Sequence, residues 1–130
     1  MKVRIIDQSE QLHICEPFTV SCLLWGTKSI PSTWGRICFL PKKGFLLKMT
    51  CQETNPKRTF TQNNSPVYKD SAMEAFFQFC PGNDRNGIYL NFEMNANGAL
   101  LAMYGADRAN RTLFTDRQIS CCRCRSEITE

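Results

Sequence analysis

The sequence predicts an all-β chain, built as an antiparallel sandwich or barrel, on three observations. Apolar and polar residues alternate with a period of two through most of its length. The alternating runs are short, and Gly, Pro and Asn turns separate them. Little of the chain reads as helix. Its 130 residues, 42% hydrophobic and 22% charged, suit one globular domain over 1–130, large enough to bury a core without a disulfide or metal staple.

Within 18–24, Phe18, Val20, Cys22 and Leu24 share one face. A short apolar run at 37–40 follows Trp34-Gly35-Arg36, and Pro41-Lys42-Lys43-Gly44 supplies a turn. Through 45–51 the alternation puts Phe45, Leu47, Met49 and Cys51 inward and Lys48 and Thr50 outward. The stretch 52–66 is polar, with Pro56, Pro66, Asn55, Asn63 and Asn64, and reads as a loop. Segment 71–79 has a Met-Glu-Ala centre of helical propensity. Its Phe76-Phe77-Gln78-Phe79 end, followed by Cys80-Pro81-Gly82, favours a strand that stops in a turn. The clearest strand is 88–95, where Ile88, Leu90, Phe92 and Met94 occupy one face and Tyr89, Asn91, Glu93 and Asn95 the other. Asn95-Ala96-Asn97-Gly98 is a tight turn, since Asn-Gly supplies the positive φ angles that hairpins require. The partner strand runs back over 99–104, a polar loop covers 105–111, and 112–130 has weak strand character around Leu113 and Ile119.

A net charge of +4 is small and scattered, concentrated only at Lys42-Lys43, Lys57-Arg58 and Arg123/Arg125, with no nucleic-acid motif beside it; no nucleic-acid partner is expected. No apolar run reaches the roughly 18–20 residues that span a bilayer, so no membrane partner is expected. The opening Met1-Lys2-Val3-Arg4-Ile5-Ile6-Asp7 lacks the apolar core of a signal peptide, which makes a cytoplasmic location the expectation. The eight cysteines then read as free thiols, with Cys22, Cys38, Cys51 and Cys80 in apolar segments as small core residues.

The polar side of strand 88–95 is unusual. Asparagine is depleted from strands, yet two alternate there with Tyr89 and Glu93. The strand before it adds Glu74, Phe76 and Gln78 at the same parity, so a hairpin would join them in one patch. Amides and carboxylates satisfy sugar hydroxyls, and an aromatic ring offers a platform for the C–H face of a pyranose. The plain alternative is a face that covers a second sheet, its polar groups bonded internally.

The segment Val67-Tyr68-Lys69-Asp70-Ser71-Ala72-Met73-Glu74-Ala75-Phe76-Phe77, then Tyr89-Leu90-Asn91-Phe92-Glu93-Met94-Asn95 and Gly98, resembles the carbohydrate-binding family 9-like domain. The resemblance implies a jelly-roll-like β-sandwich and a non-catalytic module for an oligosaccharide or polysaccharide. It implies that Tyr68 stacks on sugar, that Glu74 accepts sugar hydroxyls, and that Asn91, Glu93 and Asn95 lie with Tyr89 on the same surface. Asp70 and Ser71 are expected to hold the loop, because such side chains bond nearby backbone readily. Beside the family pattern the chain is short: later strands, one with a tryptophan that completes the clamp, have no counterpart in the cysteine-rich end from Cys121. Trp25 or Trp34 remain as substitutes, and an open sheet edge invites a second copy, hence a homodimer.

Other constellations are weaker. Cys121, Cys122 and Cys124 crowd one end while His13 lies at the other, unlike the paired ligands of a zinc site. His13 beside Cys15 would make a nucleophile and base only in a shared cleft. Glu74 and Glu93 would serve a glycoside hydrolase if their carboxyls flanked one bond, about 5–5.5 Å apart in a retaining enzyme. Calcium would need several oxygens, for which Asn83, Asp84 and Asp107 are the loop candidates. No catalytic residue, metal or cofactor is expected; the alternatives are an oligomerising sandwich without sugar binding and the Glu74/Glu93 hydrolase.

Overall fold

The alternating runs do form strands. A computed structural model describes residues 2–23, 28–79 and 87–129, and divides the chain into two compact units, 1–54 and 55–130, each with its own four-stranded sheet. The chain is therefore all-β, on two antiparallel-rich sheets of the kind that a sandwich comprises.

In the first unit the elements are β1 (Arg4–Ile5), the 3-10 helix η1 (Ser9–Ile14), β2 (Phe18–Val20), β3 (Ser32–Leu40) and β4 (Gly44–Gln52). β3 is the central strand: β4 pairs along all of it, while β2 (antiparallel) and β1 (parallel) share its other edge. The β3–β4 hairpin closes through Lys43 N–H on the Leu40 carbonyl, 3.0 Å, with Lys42 and Gly44 at positive φ. Gly35 leaves room for its neighbours. A Cβ there would stand 2.5 Å from the Phe18 ring and 2.6 Å from the Lys48 carbonyl.

The core of this unit lies on the opposite parity from the expected one. Cys38, Leu40 and Leu46 are covered by Ile6, Leu12 and Cys15. Leu47, Met49 and Cys51 are only half-buried on the other face, and Phe45, Val20 and Cys22 are exposed. The reason is η1 and the segment before it. The sequence left these unassigned, and they supply the apolar cover. Leu24 and Cys80 lie outside the described residues.

The second unit holds η2 (Val67–Lys69), β5 (Ala72–Gln78), β6 (Tyr89–Asn95), β7 (Leu100–Gly105), β8 (Arg111–Leu113) and α1 (Asp116–Cys122). Its sheet runs in the order β5-β6-β7-β8, all antiparallel. Segment 71–79 is thus strand, not helix, and the turn after β6 closes with Gly98 N–H on the Asn95 carbonyl, 2.9 Å, at a Gly98 φ of 78°.

Both faces of β7 are packed. On one, Ala99, Leu101 and Met103 meet Val67 and Phe60 from the loop before η2. On the other, Leu100 and Ala102 meet Ile119 of α1, flanked by Phe92, Met94, Phe114 and Cys124. Burying a side chain such as Ile119 contributes on the order of 2 kcal/mol. The expected loop at 52–66 is pinned as well: Leu100 N–H donates to Asn63 Oδ1, Asn64 N–H to the Leu100 carbonyl, and Asn64 Nδ2 to the Phe114 carbonyl.

Only weak strand character was expected at 112–130, and α1 departs from it. Its start is written locally: Thr115 accepts from Gln118 N–H and Gln118 reaches back to Thr115 N–H, a capping box that satisfies two end donors. No described helix is long and apolar enough to cross a membrane.

Candidate functional site

Antiparallel pairing of β5 with β6 joins the two polar rows. Glu74 lies opposite Glu93, Phe76 opposite Asn91, and Gln78 opposite Tyr89. Directly opposed residues share a face, so these side chains, with Ala72 and Asn95, line one side of the sheet. The rings of Phe76 and Tyr89 sit 5.9 Å apart, tilted by 49°. Tyr68, on η2 beside these strands, is 61% exposed, and Phe76 is 59% exposed.

Burial divides the row in a way that corrects the face assignment. Asn91, Glu93 and Asn95 are at 0%, 7% and 2% exposure, whereas Leu90, Phe92 and Met94 across the strand are only partly buried and Ile88 is exposed. The polar side of β6 is the more deeply covered one. The amides of Asn91 and Asn95 are bonded within the protein.

Asn91 is a bridge. Its Nδ2 donates to Glu74 Oε1 at 2.8 Å, and its Oδ1 accepts from Arg111 Nη1 at 3.0 Å. Arg111 reaches it from β8 across an intervening strand. Gly105 of β7 makes this passage: Arg111 and Tyr89 flank it in register, and a Cβ on it would lie 3.2 Å from Arg111 Cγ and 2.5 Å from the Asn110 carbonyl. Arg111 Nε is buried and has no partner among the described residues.

Glu93 and Glu74 stand directly opposite each other across β5 and β6. Burial pushes the Glu93 carboxyl above its ordinary value, and the Glu74 charge and hydrogen bond push further, against opposing pulls from Arg111 and Arg108.

Asn95 has no free group to offer. Its Nδ2 donates to the Phe60 carbonyl and Asp70 Oδ2, and its Oδ1 accepts from Asn97 and Ala99 N–H. It locks the turn to the loop, and the structure does not bring it to an open surface. Asp70 completes this lock. Burial pushes its carboxyl up, but hydrogen bonds from Phe60 N–H, Asn95 Nδ2 and Thr59 N–H outweigh that and hold it at about 2. Ser71 Oγ accepts from Lys57 N–H while Ser71 N–H donates to the Lys57 carbonyl, closing 57–71 into a looped segment that presents Tyr68.

The remaining candidates do not converge. Asp107 takes Ala109 N–H, Asn110 N–H and Asn110 Nδ2 within its own turn, and Asn83 and Asp84 lie outside the described residues. Cys122 bonds the Gln118 carbonyl, Cys124 packs on Met94, and Cys121 is exposed. Among the described residues no cluster of three His, Cys, Asp or Glu is placed to hold a metal. Cys15 is buried while His13 is exposed, so they share no cleft face. Trp34 belongs to the first unit, and Trp25 lies outside the described residues. The open surface thus consists of Tyr68, Glu74, Phe76, Tyr89 and Arg111, with Asn91 and Glu93 behind it.

The model of the family described as carbohydrate-binding family 9 matches residues 5–126. The chain belongs to carbohydrate-binding family 9. A family 9 module is a saccharide-binding unit. The chain is also similar to a crystal structure from Bacteroides uniformis ATCC 8492, a candidate carbohydrate-binding protein, with a TM-score of 0.75 and 22% identity. That likeness covers 91% of this chain and 57% of the other, so the chain spans less than two thirds of that protein; it bears on the fold. Among curated proteins none matches significantly.

Arg111 and Gly105 were not among the residues expected at the site. Both fall where the sequence reads as a polar loop, and only the register across β7 brings them to Asn91.

Proposed function

We propose that this family 9 chain is a non-catalytic carbohydrate-binding module whose glycan lies across Tyr68, Glu74, Phe76, Tyr89 and Arg111. In this reading a pyranose packs its C–H face on the exposed Tyr68 ring. Glu74 accepts from its hydroxyls, and Arg111 donates to ring or hydroxyl oxygens. Asn91 and Glu93 set the directions of Glu74 and Arg111 from behind and touch no sugar.

The observation that carries the reading is the Glu74–Asn91–Arg111 chain of hydrogen bonds ending at an open surface beside an exposed tyrosine. A preorganised acceptor and donor lose little freedom on binding. Titration against a panel of neutral oligosaccharides by calorimetry tests it. Binding by the parent protein, lost in Tyr68→Ala with an unchanged unfolding transition, is expected. Equal binding by that variant, or none by the parent to any glycan, sinks the proposal.

A further inference from the structure

The first unit holds a second candidate site, independent of the face just described. A cleft of about 440 Å³ opens where η1 leaves part of the β3–β4 sheet uncovered, within the size range of small-molecule sites. Its walls include Trp34, Arg36, Lys48, Thr50, His13 and Glu10. Register places Trp34 opposite Thr50 and Arg36 opposite Lys48, so these four side chains stand on one face.

The charges in the cleft are not matched internally. Arg36 and Lys48 are like charges directly opposed across two strands, an arrangement that by itself disfavours the sheet. Among the described residues neither has an ion-pair partner. Glu10 also lines the cleft, but its carboxylate accepts from Ser9 Oγ and its charge is drawn to Lys43. Arg36 Nε donates to the Cys15 carbonyl at 3.0 Å, which fixes the guanidinium while leaving its terminal nitrogens to point elsewhere. His13 Nδ1 donates to the Glu10 carbonyl at 2.7 Å, so Nε2 remains for a ligand. An anion between Arg36 and Lys48 relieves their repulsion, and a guanidinium fork suits a carboxylate or phosphate. Trp34 adds an indole beside the two cations, a surface for the C–H bonds of a sugar ring.

We propose that this cleft binds a pyranose carrying an acidic group, with the acid held by Arg36 and Lys48 and the ring set against Trp34. The acidic group is either a uronate carboxylate or a sugar phosphate, and the same experiment separates them. The ¹⁵N-labelled protein is titrated with glucuronate, glucose 6-phosphate and glucose, following the indole N–H signal of Trp34 assigned through Trp34→Phe. A saturable shift of that signal with either acidic sugar, and not with glucose, is expected; the stronger of the two identifies the acid. Lys48→Gln changes an exposed side chain and is expected to weaken this binding about tenfold while the spectrum remains folded. An equal response to glucose, no response to either acid, or full binding by Lys48→Gln overturns the proposal. In Tyr68→Ala the Trp34 response is expected to persist. Its loss there would place the acidic sugar on the face in the second unit, overturning this site while leaving that one intact.

Discussion

Asn91 donates to Glu74 through one end of its amide and accepts from Arg111 through the other. A residue fully removed from solvent thereby aims both a negative and a positive group at an open face. Apolar replacement with similar volume, Asn91→Leu, deprives Glu74 of a donor and Arg111 of an acceptor. It is expected to cost about 2 kcal/mol or more, read as a lower urea midpoint at unchanged slope. Glycan affinity should fall in the same variant although no contact to sugar is removed.

Two carboxyls set opposite pH limbs of stability. Asp70 is depressed from 3.8 to about 2, so its contribution is present above 3.8 and is lost as pH falls from there towards 2. Glu93 is raised above 4.5. The folded state then holds its proton more tightly than the unfolded chain, and this contribution is complete below 4.5 and lost as pH rises through the raised value. Glu93→Gln is expected to unfold at higher urea than the parent at neutral pH. Asp70→Asn is expected to be less stable there and to show a flatter acid limb. Urea midpoints across pH 2–8 check both, and parallel curves for parent and variants would refute the assignment.

Gly105→Ala has no room for its methyl group. The new atom meets the Asn110 carbonyl and the Arg111 stem, so β8 must shift at a cost of about 1–3 kcal/mol. Because the shift displaces Arg111, glycan affinity is expected to drop at least as far as in Arg111→Ala. Calorimetry on the two variants makes the comparison.

Thr115→Ala removes the cap of α1 and is expected to cost about 1 kcal/mol. Ile119 loosens with the helix, so protection of the β7 amides from hydrogen exchange should fall in the same variant.

Much of the second unit is legible in the sequence because its strands obey the period of two and its turn carries Asn-Gly. The Asp70 lock is likewise readable, from the habit of short polar side chains to bond backbone. The buried side of β6 is not. Periodicity separates two faces but does not say which is covered, and Asn91, Glu93 and Asn95 look like surface residues until the loop at 57–71 and Arg111 are folded over them. In the first unit the same blindness reversed the core, since the cover comes from η1, a short 3-10 segment without a long apolar pattern. The capping box at Thr115 stands outside any amphipathic run, so periodicity does not disclose the helix it starts.

The closed segment 57–71 has a thermodynamic consequence for whatever lands on Tyr68. Both its ends and its Asp70 are already bonded in the free protein, so a ligand need not order the backbone beneath the ring. Association is then expected to show little configurational entropy loss from the protein, and exchanging the ring itself, as in Tyr68→Phe or Tyr68→Trp, would report on stacking chemistry with almost no contribution from loop rearrangement.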